Sequence, residues 1–263
     1  QSSQAMLAVA SPIDRRETLR MINRDWSLDA VTVRAGAGLT RLCLVNDLVA
    51  AAAGIRVLDA GEAEVSPGDV DEAAPKLVIG VGTGLGAAVI LASDNGIRVL
   101  ASEAGHMTAA VHVNAIGVCD RASRLYGRAS WERLLSGPGL SLFEASERGD
   151  DKTAAPEDIV ARALAGEASA TEAVRAFVRT LGEFAGDLCL AVCAFGGVYF
   201  VGGVVQGLGR LLDFDELRPG FESKGRFAMY LRDVPLYRVM TDDLAARGIA
   251  GLLAGAVEAP VLE

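Results

Sequence analysis

The feature that most constrains the fold is a glycine-rich segment between two apolar runs. The runs are Lys76–Ile79 and Ala87–Leu91, and four of the seven residues of Gly80–Gly86 are glycine. Short apolar runs flanked by glycine predict two strands joined by a tight connection. Because glycine accepts positive φ and admits a close approach, N–H groups of such a loop can point at phosphate oxygens. The alternative is an ordinary glycine hairpin. It is not a Walker A loop, since no Lys-Ser or Lys-Thr pair follows.

Strand and helix patterns alternate along the rest of the chain. Further strands are predicted at residues 5–10 (a short buried one), 41–45, 197–201 and 235–240. Helices are predicted through 50–55, at 156–165 and 170–193, from near 204, and at 246–257. Residues 61–75 are rich in Gly, Glu, Asp, Pro and Ser, which indicates a loop or an interdomain connection. The alternation predicts the α/β class.

Composition excludes several classes of protein. A chain of 263 residues can bury a large core in one or two domains. Its formal charge of −9 disfavours nonspecific binding to nucleic acid. No apolar run has membrane-spanning length, and residues 1–4 lack the features of a secretion signal. We therefore expect a cytoplasmic protein that binds neither nucleic acid nor membranes.

The cysteines are interpreted as free thiols. Cys43, Cys119, Cys189 and Cys193 are the four cysteines, and His106 and His112 are the two histidines. So few histidines, with only one cysteine pair close in sequence, make a structural zinc site improbable. We expect buried, reduced thiols and no metal-ligating residue.

A polar dipeptide, Asn46-Asp47, follows the predicted strand at 41–45. Ligands of open α/β sheets bind beyond the carboxyl ends of strands, so Asp47 is a candidate general base and Asn46 a candidate ligand for hydroxyl groups. The alternative is that the pair caps the next helix, which Asp and Asn often do.

Several short segments, taken in order, resemble the bacterial glucokinase family within the hexokinase–actin-like ATPase superfamily. The segments are Ala8–Ile13, Val45–Asp47, Gly82–Gly86, Leu135–Leu140, Gly196–Tyr199 with Gly202-Gly203, and Lys224–Phe227. The resemblance implies a two-domain actin-like ATPase (ribonuclease H-like) fold. It divides the chain into a small domain of residues 1–57 with 247–263 and a large domain of residues 58–246.

The resemblance also implies an activity, the ATP-dependent phosphorylation of glucose to glucose 6-phosphate with Mg²⁺, by a homodimer. Asp47 would be the general base. The sugar-binding residues it implies are Asn46, Asp47, Glu103, His106 and Glu132. The nucleotide-binding residues it implies are Gly82, Thr83, Gly84 and Gly86 for the phosphates, and Gly202 and Gly203 for the adenosine.

The candidate residues have simpler interpretations as well. Glu103 can be a solvated side chain, His106 a histidine satisfied in the core, and Glu132 the partner of Arg128 or Arg133. Gly202 and Gly203 can serve tight packing of a strand against a helix. Lys224 and Arg226 are assigned no catalytic role.

This sequence also departs from the family pattern. Ala104 replaces a glycine of the usual Glu-Gly-Gly-His motif, and Met107–Ala109 replaces a valine-aspartate-phenylalanine stretch. The Asp-x-Gly-Gly-Thr phosphate hairpin of the family is not in this sequence, so we expect a small domain incomplete at its N-terminus, in a fragment of a longer protein. The alternatives are that a partner copy completes the sheet or that the chain is a shortened, inactive relative. The alternative function is a noncatalytic sugar-binding or regulatory relative of sugar kinases.

Overall fold

The computed structural model describes residues 3–11, 18–20, 27–93, 96–110 and 115–262. The chain divides into two compact units. The smaller unit contains residues 1–60, 88–101 and 241–263, and the larger contains residues 61–87 and 102–240. The domain bounds derived from the sequence stay a prediction.

The described strands, in chain order, are β1 (Gln4–Val9), β2 (Thr18–Arg20), β3 (Ser27–Asp29), β4 (Arg41–Asn46), β5 (Ala63–Ser66), β6 (Lys76–Val81), β7 (Leu85–Ser93), β8 (Gly96–Ser102), β9 (Val198–Val201), β10 (Leu236–Val239) and β11 (Val257–Glu258). The described α-helices are α1 (Ala30–Gly36), α2 (Asp47–Gly54), α3 (Ile116–Tyr126), α4 (Trp131–Leu134), α5 (Gly137–Arg148), α6 (Pro156–Leu164), α7 (Ala168–Val192), α8 (Gly203–Leu208), α9 (Phe214–Glu222), α10 (Ala228–Arg232) and α11 (Leu244–Leu253). Among the described residues, no helix combines the length and apolarity needed to cross a bilayer.

In the smaller unit, parallel pairing of β1 with β4 places Asn46 at the carboxyl end of a strand. The register runs from Gln4 opposite Arg41 to Val9 opposite Asn46. A small core forms around Val9, Leu42 and Leu44. Helices α2 and α11 pack against each other, and β11 pairs in parallel with β8. Helix α2 therefore begins directly where the polar end of β4 stops.

In the larger unit, β6, β9, β10 and β5 pair in that order. The β6–β9 and β9–β10 pairs are parallel, and β5 is antiparallel to β10. The 25-residue helix α7 packs against α5, α6 and α9. Rings on two of these helices, Phe143 and Phe177, meet edge to face with centroids 5.9 Å apart. Because this apolar packing fixes α5 and α6, it also fixes the residues at their N-terminal ends.

The predicted strands and helices are found, with four corrections. The segment 61–75, expected to be a loop or an interdomain connection, contains the strand β5. Helix α11 ends at Leu253 and not at 257, because the chain turns and pairs with β8 as β11. Strand β1 is half-exposed, since among the described residues it pairs only with β4. Cys193 is exposed, whereas the other three cysteines are buried and all four are free. His112 lies outside the described residues.

Candidate functional site

The glycine turn is shorter than predicted and is tied to the start of α5. Strand β6 ends at Val81 and β7 begins at Leu85, so Leu85 and Gly86 already belong to a strand. The Gly82 N–H donates to Gly84 O at 2.9 Å, and Gly82 O accepts from Gly137 N at 2.9 Å. The backbone at Gly137 thus holds one end of the turn. We call residues 82–85, which are the turn and the first residue of β7, the phosphate loop, after the role expected of it from the sequence.

Glu103, His106 and Glu132 form a cluster beside this loop. His106 lies in a short 3₁₀ helix, Ala104–His106, and Glu132 lies in the first turn of α4. His106 Nε2 is 3.7 Å from Glu103 Oε2, and its Nδ1 is 3.8 Å from Glu132 Oε1. The Glu132 side chain is 26% exposed and that of His106 is 42% exposed. Carboxylates and an imidazole that keep solvent access can bind the hydroxyl groups of a sugar.

The simpler interpretation of Glu132, as the partner of a neighbouring arginine, is not what is found. Arg128 donates to the backbone oxygen of His106 at 2.8 Å and to Thr108 Oγ1 at 3.3 Å. The Arg133 guanidinium lies 4.1 Å from the centroid of the Tyr126 ring. Glu132 Oε2 instead accepts from the backbone N–H of Leu85 at 3.2 Å. Its carboxylate therefore contacts the phosphate loop and the histidine.

A cavity of about 920 Å³ opens beside the phosphate loop, wholly within the larger unit. Its size is typical of small-molecule sites. Its apolar lining consists of Leu125, Tyr126, Pro138, Leu140, Leu142, Pro156, Val160, Val204 and Leu208. Its polar lining includes Thr83, Ser141, Asp151, Thr153 and Glu157. Apolar walls for a base, next to a loop able to bind phosphate, suit a nucleotide.

Most of these lining residues were missed by sequence reasoning. The segment Leu135–Leu140 carries part of the family resemblance, but it predicts no role for the residues that follow it on α5. Ser136 caps α5 by accepting from Gly139 N at 3.3 Å, and this sets the helix beside the loop. Lining positions spread over several helices leave no local sequence signal.

Gly202 and Gly203 serve two different purposes. Gly202 has φ of +105°, and a Cβ there would lie 2.6 Å from the backbone oxygen of Val81. Tight packing of the start of α8 against β6 therefore explains Gly202. A Cβ at Gly203 would meet nothing within 4 Å, and this residue lines the cavity. Of the pair, Gly203 is the one that borders the cavity.

Asn46 and Asp47 lie in the smaller unit, at the start of α2. Asn46 is the N-cap, because its Oδ1 accepts from Leu48 N at 3.0 Å and from Val49 N at 3.1 Å. Its Nδ2 donates to Ser11 O at 3.2 Å, which leaves one amide hydrogen for a ligand. The capping interpretation thus holds for Asn46.

Asp47 is exposed at the surface, but its carboxyl group is partly enclosed by neighbouring atoms. Its Oδ1 accepts from Leu48 N at 2.8 Å. Desolvation raises the pKa of the Asp47 carboxyl above its ordinary value, and the hydrogen bond from Leu48 opposes this effect. A carboxylate with a raised pKa is a better proton acceptor, which suits a general base.

The described residues do not build a dedicated metal cage. No group of three or more His, Cys, Asp and Glu side chains with metal-binding geometry occurs among them. Mg²⁺ in kinase sites is held largely by nucleotide phosphates and water, so such a cage is not needed. We assign no residue of this chain to Mg²⁺.

Comparison with known proteins identifies the family. A family model described as Glucokinase matches residues 1–256. A glucokinase of Chromobacterium violaceum is 38% identical over 259 residues, covering 96% of this chain and 74% of that protein. A bifunctional protein glk of Burkholderia pseudomallei is 37% identical over 96% of this chain, which spans only 40% of that longer protein. The chain belongs to the glucokinase family.

Solved structures agree on the fold. A glucokinase from an Antarctic psychrotroph superimposes with a TM-score of 0.81 at 28% identity, over 95% of this chain and 80% of that one. A glucokinase from Balamuthia mandrillaris in complex with glucose superimposes with a TM-score of 0.77 at 21% identity, over 93% of this chain and 76% of that one. A ROK family glucokinase from Streptomyces griseus in complex with glucose and AMPPNP superimposes with a TM-score of 0.65 at 22% identity, over 93% of this chain and 79% of that one. The fold is that of the actin-like ATPase sugar kinases.

Proposed function

We propose that this chain transfers the γ-phosphoryl group of ATP to the 6-hydroxyl of glucose, giving glucose 6-phosphate and ADP. One observation carries the proposal. The Glu132 carboxylate accepts from Leu85 N of the phosphate loop at 3.2 Å and lies 3.8 Å from His106 Nδ1. A group suited to sugar hydroxyls is thus in contact with a loop suited to phosphate.

The sugar is assigned to Glu103, His106 and Glu132, together with Asn46 and Asp47. Charged carboxylates accept strong hydrogen bonds from hydroxyl groups, and the remaining amide hydrogen of Asn46 can donate to one. The Balamuthia mandrillaris neighbour is a complex with glucose, which supports a hexose as the ligand. Ala104, which stands where the resembling motif has glycine, is buried.

The nucleotide is assigned to the cavity and the phosphate loop. The apolar walls suit the base, while the Thr83 hydroxyl and the N–H groups of Thr83 and Gly84 suit the phosphates. The N–H groups of Gly82 and Leu85 already donate to Gly84 O and Glu132 Oε2. The ROK family glucokinase neighbour is a complex with AMPPNP, which supports an adenine nucleotide as the ligand. Mg²⁺ enters as part of the substrate, MgATP, and neutralises charge on the phosphates.

Asp47 is assigned the proton transfer. The sugar oxygen forms a bond to the γ-phosphorus while the bond from that phosphorus to the bridging oxygen of ADP breaks, and the hydroxyl proton passes to Asp47. Because phosphoryl transfer depends mostly on positioning and charge stabilisation, the base supplies a modest part of the rate.

The test is a coupled assay for ATP-dependent glucose phosphorylation with Asp47→Ala beside the parent protein. We expect Asp47→Ala to lower kcat by about 10²–10⁴-fold while largely sparing glucose affinity. Asp242→Ala, at an exposed position of the smaller unit, is the matched control. An Asp47→Ala enzyme with a kcat close to that of the parent would remove Asp47 from the mechanism. Glucose binding by the parent without any turnover would favour the noncatalytic alternative.

We also propose that the protein is a homodimer that serves glycolysis, as the family resemblance implies. Sedimentation velocity at micromolar concentration tests the dimer, and a single species at the monomer mass of 27.3 kDa would overturn it.

A further inference from the structure

The two oxygens of the Glu132 carboxylate face different parts of the site. Oε1 lies 3.8 Å from Nδ1 of His106, on the side assigned to the sugar. Oε2 accepts from the backbone N–H of Leu85 at 3.2 Å. A single side chain therefore contacts both the sugar cluster and the phosphate loop.

The loop is held at its two ends by different kinds of group. At Gly82 the holder is backbone, since Gly82 O accepts from Gly137 N at 2.9 Å. At Leu85 the loop is held by a side chain, since Leu85 N donates to Glu132 Oε2. The loop also leaves room for this carboxylate. A Cβ on Gly84 would lie 2.7 Å from Glu132 Oε2, so the carboxylate occupies the space that a side chain at position 84 would need. Of these two contacts, a bound ligand can influence the one made by the Glu132 side chain.

We infer that Glu132 is a positioning residue for the phosphate loop, and that sugar bound at Oε1 strengthens nucleotide binding through it. A sugar hydroxyl on Oε1 fixes the carboxylate, and a fixed carboxylate holds Leu85 and the loop in one conformation. Nucleotide binding then costs less conformational entropy, because the loop is already ordered. By linkage, bound nucleotide strengthens sugar binding by the same factor. The coupling rests on the proposed function, whereas the loop contact itself does not.

Charge is a competing effect that the experiment must separate. Removing a carboxylate beside a phosphate site also relieves repulsion, which would raise nucleotide affinity. Glu132→Gln and Glu132→Ala remove the same charge, but only glutamine keeps an oxygen that can accept from Leu85 N. Their difference reports the loop contact alone.

The test is the affinity for AMPPNP with Mg²⁺, measured by calorimetry on the full chain without sugar. We expect Glu132→Ala to bind AMPPNP about tenfold more weakly than Glu132→Gln, as loss of a hydrogen bond to a buried donor implies. Glu147→Ala, which removes an exposed carboxylate of α5 that does not line the cavity, should bind AMPPNP like the parent. Thermal unfolding of each variant checks that it is folded.

The coupling is read from the same titrations repeated at saturating glucose. The parent should bind AMPPNP several-fold more tightly with glucose, and Glu132→Ala should lose that gain. Equal AMPPNP affinity of Glu132→Ala and Glu132→Gln overturns the inference, even if the parent phosphorylates glucose. A parent that fails to phosphorylate glucose, but whose variants differ as expected, overturns the proposed function and leaves the positioning role standing.

Discussion

Arg162 Nη2 donates to Oε1 of the fully buried Glu144 at 2.7 Å, joining α6 to α5. The same oxygen accepts from Arg148 Nε at 2.7 Å. Oε2 of Glu144 is buried without a hydrogen-bond partner in the described part of the chain. Since both helices line the cavity, this carboxylate sets the spacing of two of its walls.

Replacing Glu144 with alanine should destabilise the protein. The change leaves two guanidinium groups without their carboxylate, and breaking a buried pair typically costs about 3–5 kcal/mol. We expect the free energy of unfolding to fall by about 3 kcal/mol, near the lower bound of that range, because each arginine side chain is 32% exposed and can regain water. Urea unfolding measures it. Glu147→Ala, exposed on the same helix, is the control and should stay within about 0.5 kcal/mol of the parent. Equal effects of the two variants would show that the ion pair does not hold α5 to α6.

The raised pKa of Asp47 predicts a stability that depends on pH. A carboxyl whose folded pKa exceeds its unfolded value of 3.8 favours folding below that value, and the contribution is lost as pH rises through the folded pKa. At neutral pH the ionised, desolvated Asp47 is therefore a destabilising group. Asparagine keeps an oxygen for Leu48 N and carries no charge.

Asp47→Asn should lose about 10²–10⁴-fold in kcat, as Asp47→Ala does, yet be more stable than the parent at pH 7. The difference in free energy of unfolding between the two proteins should shrink as pH falls through the folded pKa of Asp47. Below pH 3.8 it should reach a constant minimum, because the carboxyl is then protonated in both the folded and the unfolded state. Urea unfolding of both proteins across this range measures it. A difference that grows toward acid pH would mean that the pKa of Asp47 is lowered in the folded protein, contrary to the desolvation argument.

Thiol labelling checks the correction at Cys193. Cys193 is exposed, whereas Cys43, Cys119 and Cys189 are buried, and burial raises the pKa of Cys189 to about 12. Since the thiolate is the reactive form, one thiol should react rapidly with Ellman's reagent in the native protein and four after denaturation. Cys193→Ser should abolish the rapid reaction. A second fast thiol in the native parent would contradict the burial of the other three.

The elements that the sequence predicts well are those with strong periodic signals. The apolar stripe of α7 is buried from Val174 through Leu188, as its spacing predicts. The strand β5 was missed because it is a four-residue edge strand in which only Ser66 is buried, and among the described residues it pairs only with β10. An edge strand of this kind carries little hydrophobic pattern of its own.

The site divides in the same way. The glycine turn could be predicted from local composition, because its function needs small residues next to one another. The contact of Glu132 with Leu85, 47 positions away, could not, since it arises only when α4 packs beside β7. Asn46 shows the opposite problem, because a cap and a sugar ligand carry the same local sequence signature. The roles of the site residues remain predictions that the variants described above test.

Gly84→Ala should weaken nucleotide use because the new Cβ takes the place of the Glu132 carboxylate. That Cβ would lie 2.7 Å from Glu132 Oε2, so the carboxylate must move away from Leu85 N. We expect the KM for ATP to rise on the order of tenfold in the parent background. In a Glu132→Ala background the same change should raise the KM for ATP much less, since no carboxylate is left to displace. Gly61→Ala, where a Cβ meets nothing within 4 Å, is the matched control in the larger unit. An equal cost of Gly84→Ala in both backgrounds would mean that alanine disturbs the loop itself and not its contact with Glu132.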